Sequence, residues 1–263
     1  MPIDNAVWQT VVRDLPWLGR VPAAEVDRLH ALIAVFLTRH AITGAHDLEI
    51  SDAVRLWVAA QACLPVLHLG LDAYDRFAEV VIYPGAFRVR RQVASDSGAV
   101  AEFDDVLAGE AIDGGPVILS LPDAREIAQN AGSNLIIHEF AHKLDLADGQ
   151  ADGCPPMSAS RRRRWESVLL RAFEDFNRML DRVEQAIPPD IDPESEQAAP
   201  WFDLLPLDPY AATDPAEFFA VATEKFFVEP EGLSAEFPEF YAQAAGYFGL
   251  DPRSWAPLGT TAP

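Results

Sequence analysis

Hydrophobic positions along the chain change their period twice. Over residues 22–38 the apolar side chains Val26, Leu29, Leu32, Ile33, Val35 and Phe36 recur at helical spacing, and residues 51–64 repeat the pattern behind Ser51, a good N-cap. Leu64-Pro65 breaks or kinks the second helix, because proline lacks the N–H that the ladder needs. From residue 79 the signal turns to strands at 80–83, 87–93, 100–103 and 116–121, bounded by Pro-Gly, Gly-Gly and Pro-Asp turns, which together predict one small sheet.

The helical period then returns for the rest of the chain. Residues 134–149 are apolar nearly all round (Leu135, Ile136, Ile137, Phe140, Ala141, Leu144), as in a helix buried inside a domain, with Asn134 as N-cap and Gly149 as stop. A long amphipathic helix runs from the arginines at 161–164 to about Ala186, through Trp165, Leu169, Phe173, Phe176 and Leu180. Residues 188–209, rich in proline and acid, predict a long loop, either a flap or a surface excursion. Thr213 or Asp214 caps a last apolar helix that has Pro215 at its start. The expected class is α+β, with a helical N-terminal part (1–75) packed on a core (76–263), the whole forming one compact unit.

Composition narrows the function. The 263 residues carry a formal charge of −21, which repels phosphate backbones and anionic lipid and favours basic peptides or basic protein partners. The arginine run at 161–164 reads as a solvated helix start, because acids such as Glu166, Glu174 and Asp175 follow it. No segment approaches 18 consecutive apolar residues, and residues 1–15 lack a basic start followed by an apolar run, so a cytoplasmic protein without a membrane span is expected. Of the two cysteines, Cys63 reads as a core residue and Cys154, after an Asp-Gly turn, as an exposed one. His30, His40, His46 and His68 stand alone and read as structural or surface residues.

Chemistry concentrates in the buried helix. His138 and His142 are one turn apart on one face, so both imidazoles can reach one ion, while Glu139 lies about 100° round the helix, placed to meet a water on that ion. Such a charged face in an apolar helix is costly unless a metal pairs with it. A third ligand is expected from the last helix, where Glu217 lies in the first turn and Glu224 seven residues on. Glu217 could instead pair with the helix dipole, and spacing does not choose between the two glutamates. Two histidines and one carboxylate would leave zinc with an open position, the catalytic type of site. Residues 117–121, the last strand before the helix, are the candidate sheet edge for substrate by strand addition.

Three stretches resemble a known family: Asn-Leu-Ile-Ile-His-Glu-Phe-Ala-His-Lys-Leu-Asp at 134–145, Asp-Pro-Tyr-Ala-Ala-Thr-Asp-Pro-Ala-Glu-Phe-Phe-Ala-Val at 208–221, and Leu-Pro-Val-Leu-His-Leu-Gly-Leu with Val-Ile-Tyr-Pro-Gly-Ala-Phe at 64–71 and 81–87. Over residues 15–255 the chain is similar to the Mlc titration factor A family of bacterial zinc peptidases, and its two active-site segments also look like the catalytic part of anthrax lethal factor. The resemblance implies a zincin of the glutamate-ligand (gluzincin) type, with His138, His142 and Glu217 on Zn2+, Glu139 as base and Tyr210 facing the metal across the cleft. It implies peptidase activity, mainly as an aminopeptidase, and binding of a transcriptional repressor, Mlc. Asp145 matches the family pattern and could either orient a histidine or cap a nearby helix. Residues 161–209 depart from the family pattern, which bears on repressor binding if that region contacts the repressor.

Overall fold

The structure, a computed structural model, describes residues 3–74, 77–94, 100–129 and 132–255. Helices α1 (Asn5–Asp14), α2 (Ala23–Arg39) and α3 (Asp52–Cys63) form the N-terminal layer, and β1 (Ala41–Gly44) lies between the last two. Ser51 caps α3 by accepting from the Val54 N–H, as its sequence predicts. Next come β2 (Glu79–Tyr83), β3 (Phe87–Ala94), β4 (Val100–Leu107), β5 (Gly109–Ala111) and β6 (Val117–Ser120). The remainder is helical: α4 (Leu121–Ile127), α5 (Leu135–Asp145), α6 (Ala159–Ala186), α7 (Ala199–Phe202), α8 (Pro215–Val228), α9 (Pro230–Glu236) and α10 (Pro238–Phe248).

The strands form two sheets where the sequence predicts one. The main sheet has four strands in the order β1-β2-β6-β5, with β1, β2 and β6 parallel and β5 antiparallel to β6, while β3 and β4 pair separately as an antiparallel hairpin. The expected edge, residues 117–121, is therefore wrong. β6 is paired on both sides and the edge nearest α5 is β5. Three residues, Gly-Glu-Ala, carry no β-branched side chain, and only β6 beside them makes them a strand.

One apolar cluster runs through the whole molecule, from Trp8 and Leu29 through Ile137 and Phe140 to Phe218, Phe226 and Phe248. Helix α5 lies in its middle with Ile136, Ile137, Phe140 and Leu144 buried, and α8 packs directly on it. Helix α8 is apolar all round, and Phe218 meets Phe240 and Phe237 edge-on at 5.5 and 5.7 Å between ring centres. Two helices this firmly embedded hold their polar residues in fixed relation.

Candidate metal centre

Helix α5 begins where predicted, with the Asn134 side chain accepting from the Ile137 N–H at 2.9 Å. That cap orients His138, Glu139 and His142 along one turn and a half of helix. Helix α8 begins with Asp214 accepting from the Ala216 and Glu217 N–H groups at 2.8 and 3.0 Å. Asp-Pro-Ala-Glu could close a capping box, with Glu217 reaching back to its own N-cap. Its carboxylate turns to the histidines instead.

The three candidate ligands meet. His138 Nε2 and His142 Nε2 lie 3.1 Å apart, and Glu217 Oε2 lies 3.1 Å from the first and 3.2 Å from the second. A tetrahedral zinc with bonds of about 2.0 Å has ligand-to-ligand edges of about 3.3 Å. The observed triangle fits one face of that tetrahedron. Among the described residues this is the one histidine, cysteine and carboxylate group able to hold a metal.

The surroundings fix the histidine's protonation state. Glu224 Oε1 lies 2.8 Å from His138 Nδ1, and Glu224 Oε2 accepts from the Asn134 N–H. A carboxylate on Nδ1 holds the proton there and leaves the Nε2 lone pair for an ion. Asn134 in turn donates its amide to Gln61 Oε1 at 2.7 Å, which extends the buried polar chain into α3.

Electrostatics favours positive charge at this point. Burial pulls the His138 imidazolium down, but hydrogen bonds to Glu217 and Glu224 outweigh it and leave the residue well above its ordinary value. Burial raises Glu217 too, yet hydrogen bonds from His138 and His142 hold it well below the usual carboxylate range. Glu139 is raised by burial and by the neighbouring Glu217 and Glu224 charges, partly offset by the histidines. Three glutamate side chains, Glu139, Glu217 and Glu224, gather around the two histidines, and a dication in their midst would offset the mutual repulsion of carboxylates.

The other predicted residues separate into those at the centre and those beside it. The Tyr210 hydroxyl donates to Glu217 Oε1 at 3.3 Å, and its ring is half exposed on the helical turn Pro209–Ala212. Asp145 is fully buried and takes no part in orienting a histidine: its Oδ2 accepts from the Gly153 N–H at 2.8 Å, and Oδ1 has no partner among the described residues. Burial pushes its carboxyl up to about 7. Gly153, at φ +74°, also takes the Trp165 indole N–H on its carbonyl at 2.8 Å. A Cβ there would stand 2.4 Å from the Pro215 carbonyl, so α5, α6 and α8 converge on this residue. This convergence also buries Cys154, which corrects the exposed position expected from its Asp-Gly turn. Arg161, Arg163 and Arg164 are exposed, as read, while Arg162 bridges Asp148 and Asp152 at 2.9 and 2.6 Å.

A cleft of about 480 Å³ opens onto the centre, lined by His138, Glu139, Glu224 and Tyr210 together with Leu107, Ala108, Gly109 and Asp208. Among the described residues no lysine or arginine lines it. Sequence reasoning missed Asp208 and Gly109. Asp208 stands at the end of the proline-rich segment 188–209, where it caps Tyr210 by accepting from its N–H at 2.9 Å. Gly109 approaches so closely that a Cβ would stand 2.3 Å from Glu139 Oε1. A larger cavity of about 1030 Å³ lies against β1 at the other edge of the sheet, shares no residue with this cleft, and holds no grouped metal ligands. Chemistry, rather than volume, singles out the smaller one.

Comparison with known proteins places the chain in a family. The family model for glucose-regulated metallo-peptidase M90 matches residues 1–249. An Mlc titration factor A from Pectobacterium atrosepticum is 35% identical over 253 residues, covering 94% of this chain and 89% of the relative. Another from Escherichia fergusonii is 35% identical over 250 residues (95% and 88%), and an uncharacterized protein of Synechocystis sp. is 34% identical over 250 residues (93% and 84%).

Proposed function

The chain belongs to the glucose-regulated metallo-peptidase M90 family, and from that premise we propose that it is a zinc-dependent peptidase of the gluzincin type, acting on peptides as an aminopeptidase. The observation that carries the reading is the triangle of His138, His142 and Glu217 donor atoms with Glu139 beside it. Two imidazoles and one carboxylate suit zinc, and the zincin-like reading of the fold rests on the same pair of helices.

When bound, zinc supplies a Lewis acid that lowers the pKa of water to about 7. Glu139 receives the proton of the attacking water and passes it to the leaving amine. Its pKa, raised chiefly by burial, suits a group that must both take and give a proton. Tyr210 donates its hydroxyl to the carbonyl oxygen as charge develops there. Glu224 keeps His138 in the tautomer that binds. The free edge of β5 receives the substrate main chain by strand addition.

The decisive experiment is zinc content and hydrolysis of a fluorogenic aminoacyl amide in wild type and Glu217→Ala. About one zinc per chain, lost together with activity in the variant, is the expected result. Zinc retained by the variant moves the third ligand to another carboxylate. The printed name of the relatives supports a second reading, capture of a repressor of the Mlc type, and zinc without any hydrolysis in wild type would favour it. No helix among the described residues is long and apolar enough to cross a membrane.

A further inference from the structure

We propose that Lys143 is a positioning residue that pins strand β5 beside Glu139, and that through it the cleft selects extended peptide main chain over single-residue amides. The proposal rests on the peptidase reading above and adds a selectivity determinant to it.

Strand β5 is three residues long at the end of a sheet, too short to hold its own position. Its register shows what it offers. The Ser120 N–H bonds to the Ala108 carbonyl at 2.7 Å and the Ile112 N–H to the Pro116 carbonyl at 3.2 Å, so residues 108, 110 and 112 face β6. Gly109 and Ala111 therefore direct their N–H and C=O groups to the free edge. These four groups are what an incoming peptide main chain would bind.

Helix α5 holds both ends of the strand. At the first, Gly109 lies directly against the Glu139 carboxylate. One turn along the same helix, Lys143 Nζ donates to the carbonyls of Ile112 and Gly115, the latter at 2.8 Å, closing the turn that joins β5 to β6. Lys143 is only 6% exposed, and the Phe77 ring lies 5.3 Å from its ammonium. Burying a lysine is costly, and carbonyl oxygens aimed at it with an aromatic ring beside it are what offset the cost. Glu139 and Lys143 thus meet the strand one helical turn apart, so the helix that carries the proposed base also sets where the substrate edge lies.

The test compares wild type with Lys143→Met, which keeps the stem and removes the donor. Zinc content, kcat and KM are measured on a six-residue peptide and on an aminoacyl coumarin amide, and amide hydrogen exchange is followed over 107–116. The preference for the peptide should fall about tenfold, through KM, the worth of one or two main-chain hydrogen bonds, and exchange over 107–116 should accelerate. An unchanged preference overturns the proposal, whatever the exchange shows, and so does an equal loss on both substrates. If Lys143→Met does not fold, Lys143→Gln, which keeps an uncharged NH2 donor group on a shorter stem, is judged by the same two criteria with an intermediate effect expected. A wild type that cleaves neither substrate overturns the peptidase reading and the selectivity with it, while exchange alone still decides whether Lys143 pins the strand.

Discussion

Replacing Glu224 by glutamine probes the metal centre without removing a ligand. The carboxylate accepts twice, from His138 Nδ1 at 2.8 Å and from the Asn134 N–H, and both donors are buried. An amide has one acceptor atom. If its oxygen faces Asn134, its NH2 meets Nδ1 and favours the tautomer whose proton sits on Nε2, where the lone pair for zinc should be. If its oxygen faces His138, the NH2 opposes the first N–H of α5. With Nε2 given to zinc and the proton on Nδ1, either choice leaves one buried donor unsatisfied, a cost of about 1–3 kcal/mol, which at 1.4 kcal/mol per decade corresponds to about 5–150-fold. Loss of such an outer carboxylate weakens metal affinity by about 10–100-fold, within the same range. Competition of the purified variant with a chromophoric chelator gives the zinc Kd, and circular dichroism checks the fold. We expect Kd to rise by about 10–100-fold. A folded variant with Kd within twofold of wild type would show that Glu224 does not set the His138 tautomer.

Three more outcomes follow from the same geometry. Glu139→Gln should keep its zinc and lose kcat/KM by about 10²–10⁴-fold, and undiminished hydrolysis with full zinc would remove it as base. Tyr210→Phe should lower kcat by about 10²-fold with little change in KM, so an unchanged kcat takes the hydroxyl out of the transition state. Asp145, raised from 3.8 to about 7 chiefly by burial, binds its proton in the folded chain at pH values where the unfolded chain has released it. Stability therefore falls as pH rises from about 4 to about 7, by at most about 1.4 kcal/mol per pH unit, and urea titrations of Asp145→Asn should lack that component of the slope. A difference between variant and wild type that is flat with pH would refute it.

The parts of the site that were legible in the sequence are those that depend on one element alone. His138, Glu139 and His142 share a helix, so periodicity and the Asn134 cap were enough to place them. Glu217 and Glu224 stand on a second helix, and seven residues of spacing say only that they share a face. The packing of α8 on α5 puts the first at the Nε2 atoms and the second at Nδ1. Strand β5 could not be read, because its three residues have no strand character until β6 lies beside them, whereas β1, with Ile42 and Thr43, escaped because it is only four residues long. Lys143 gave a signal that went unused: a charge within an almost wholly apolar helix has to find partners.

The hydrogen bond from Asn134 to Gln61 also bears on modularity. Residues 1–75, read from the sequence as a helical part packed on the core, supply Gln61 to the polar chain behind His138 and β1 as the parallel neighbour of β2. Cutting the chain at residue 76 would take away the acceptor of the Asn134 amide and turn β2 into an open margin of the sheet. The first three helices thus belong to the same physical unit as the candidate metal centre, and copying its motifs alone would leave out the support behind His138.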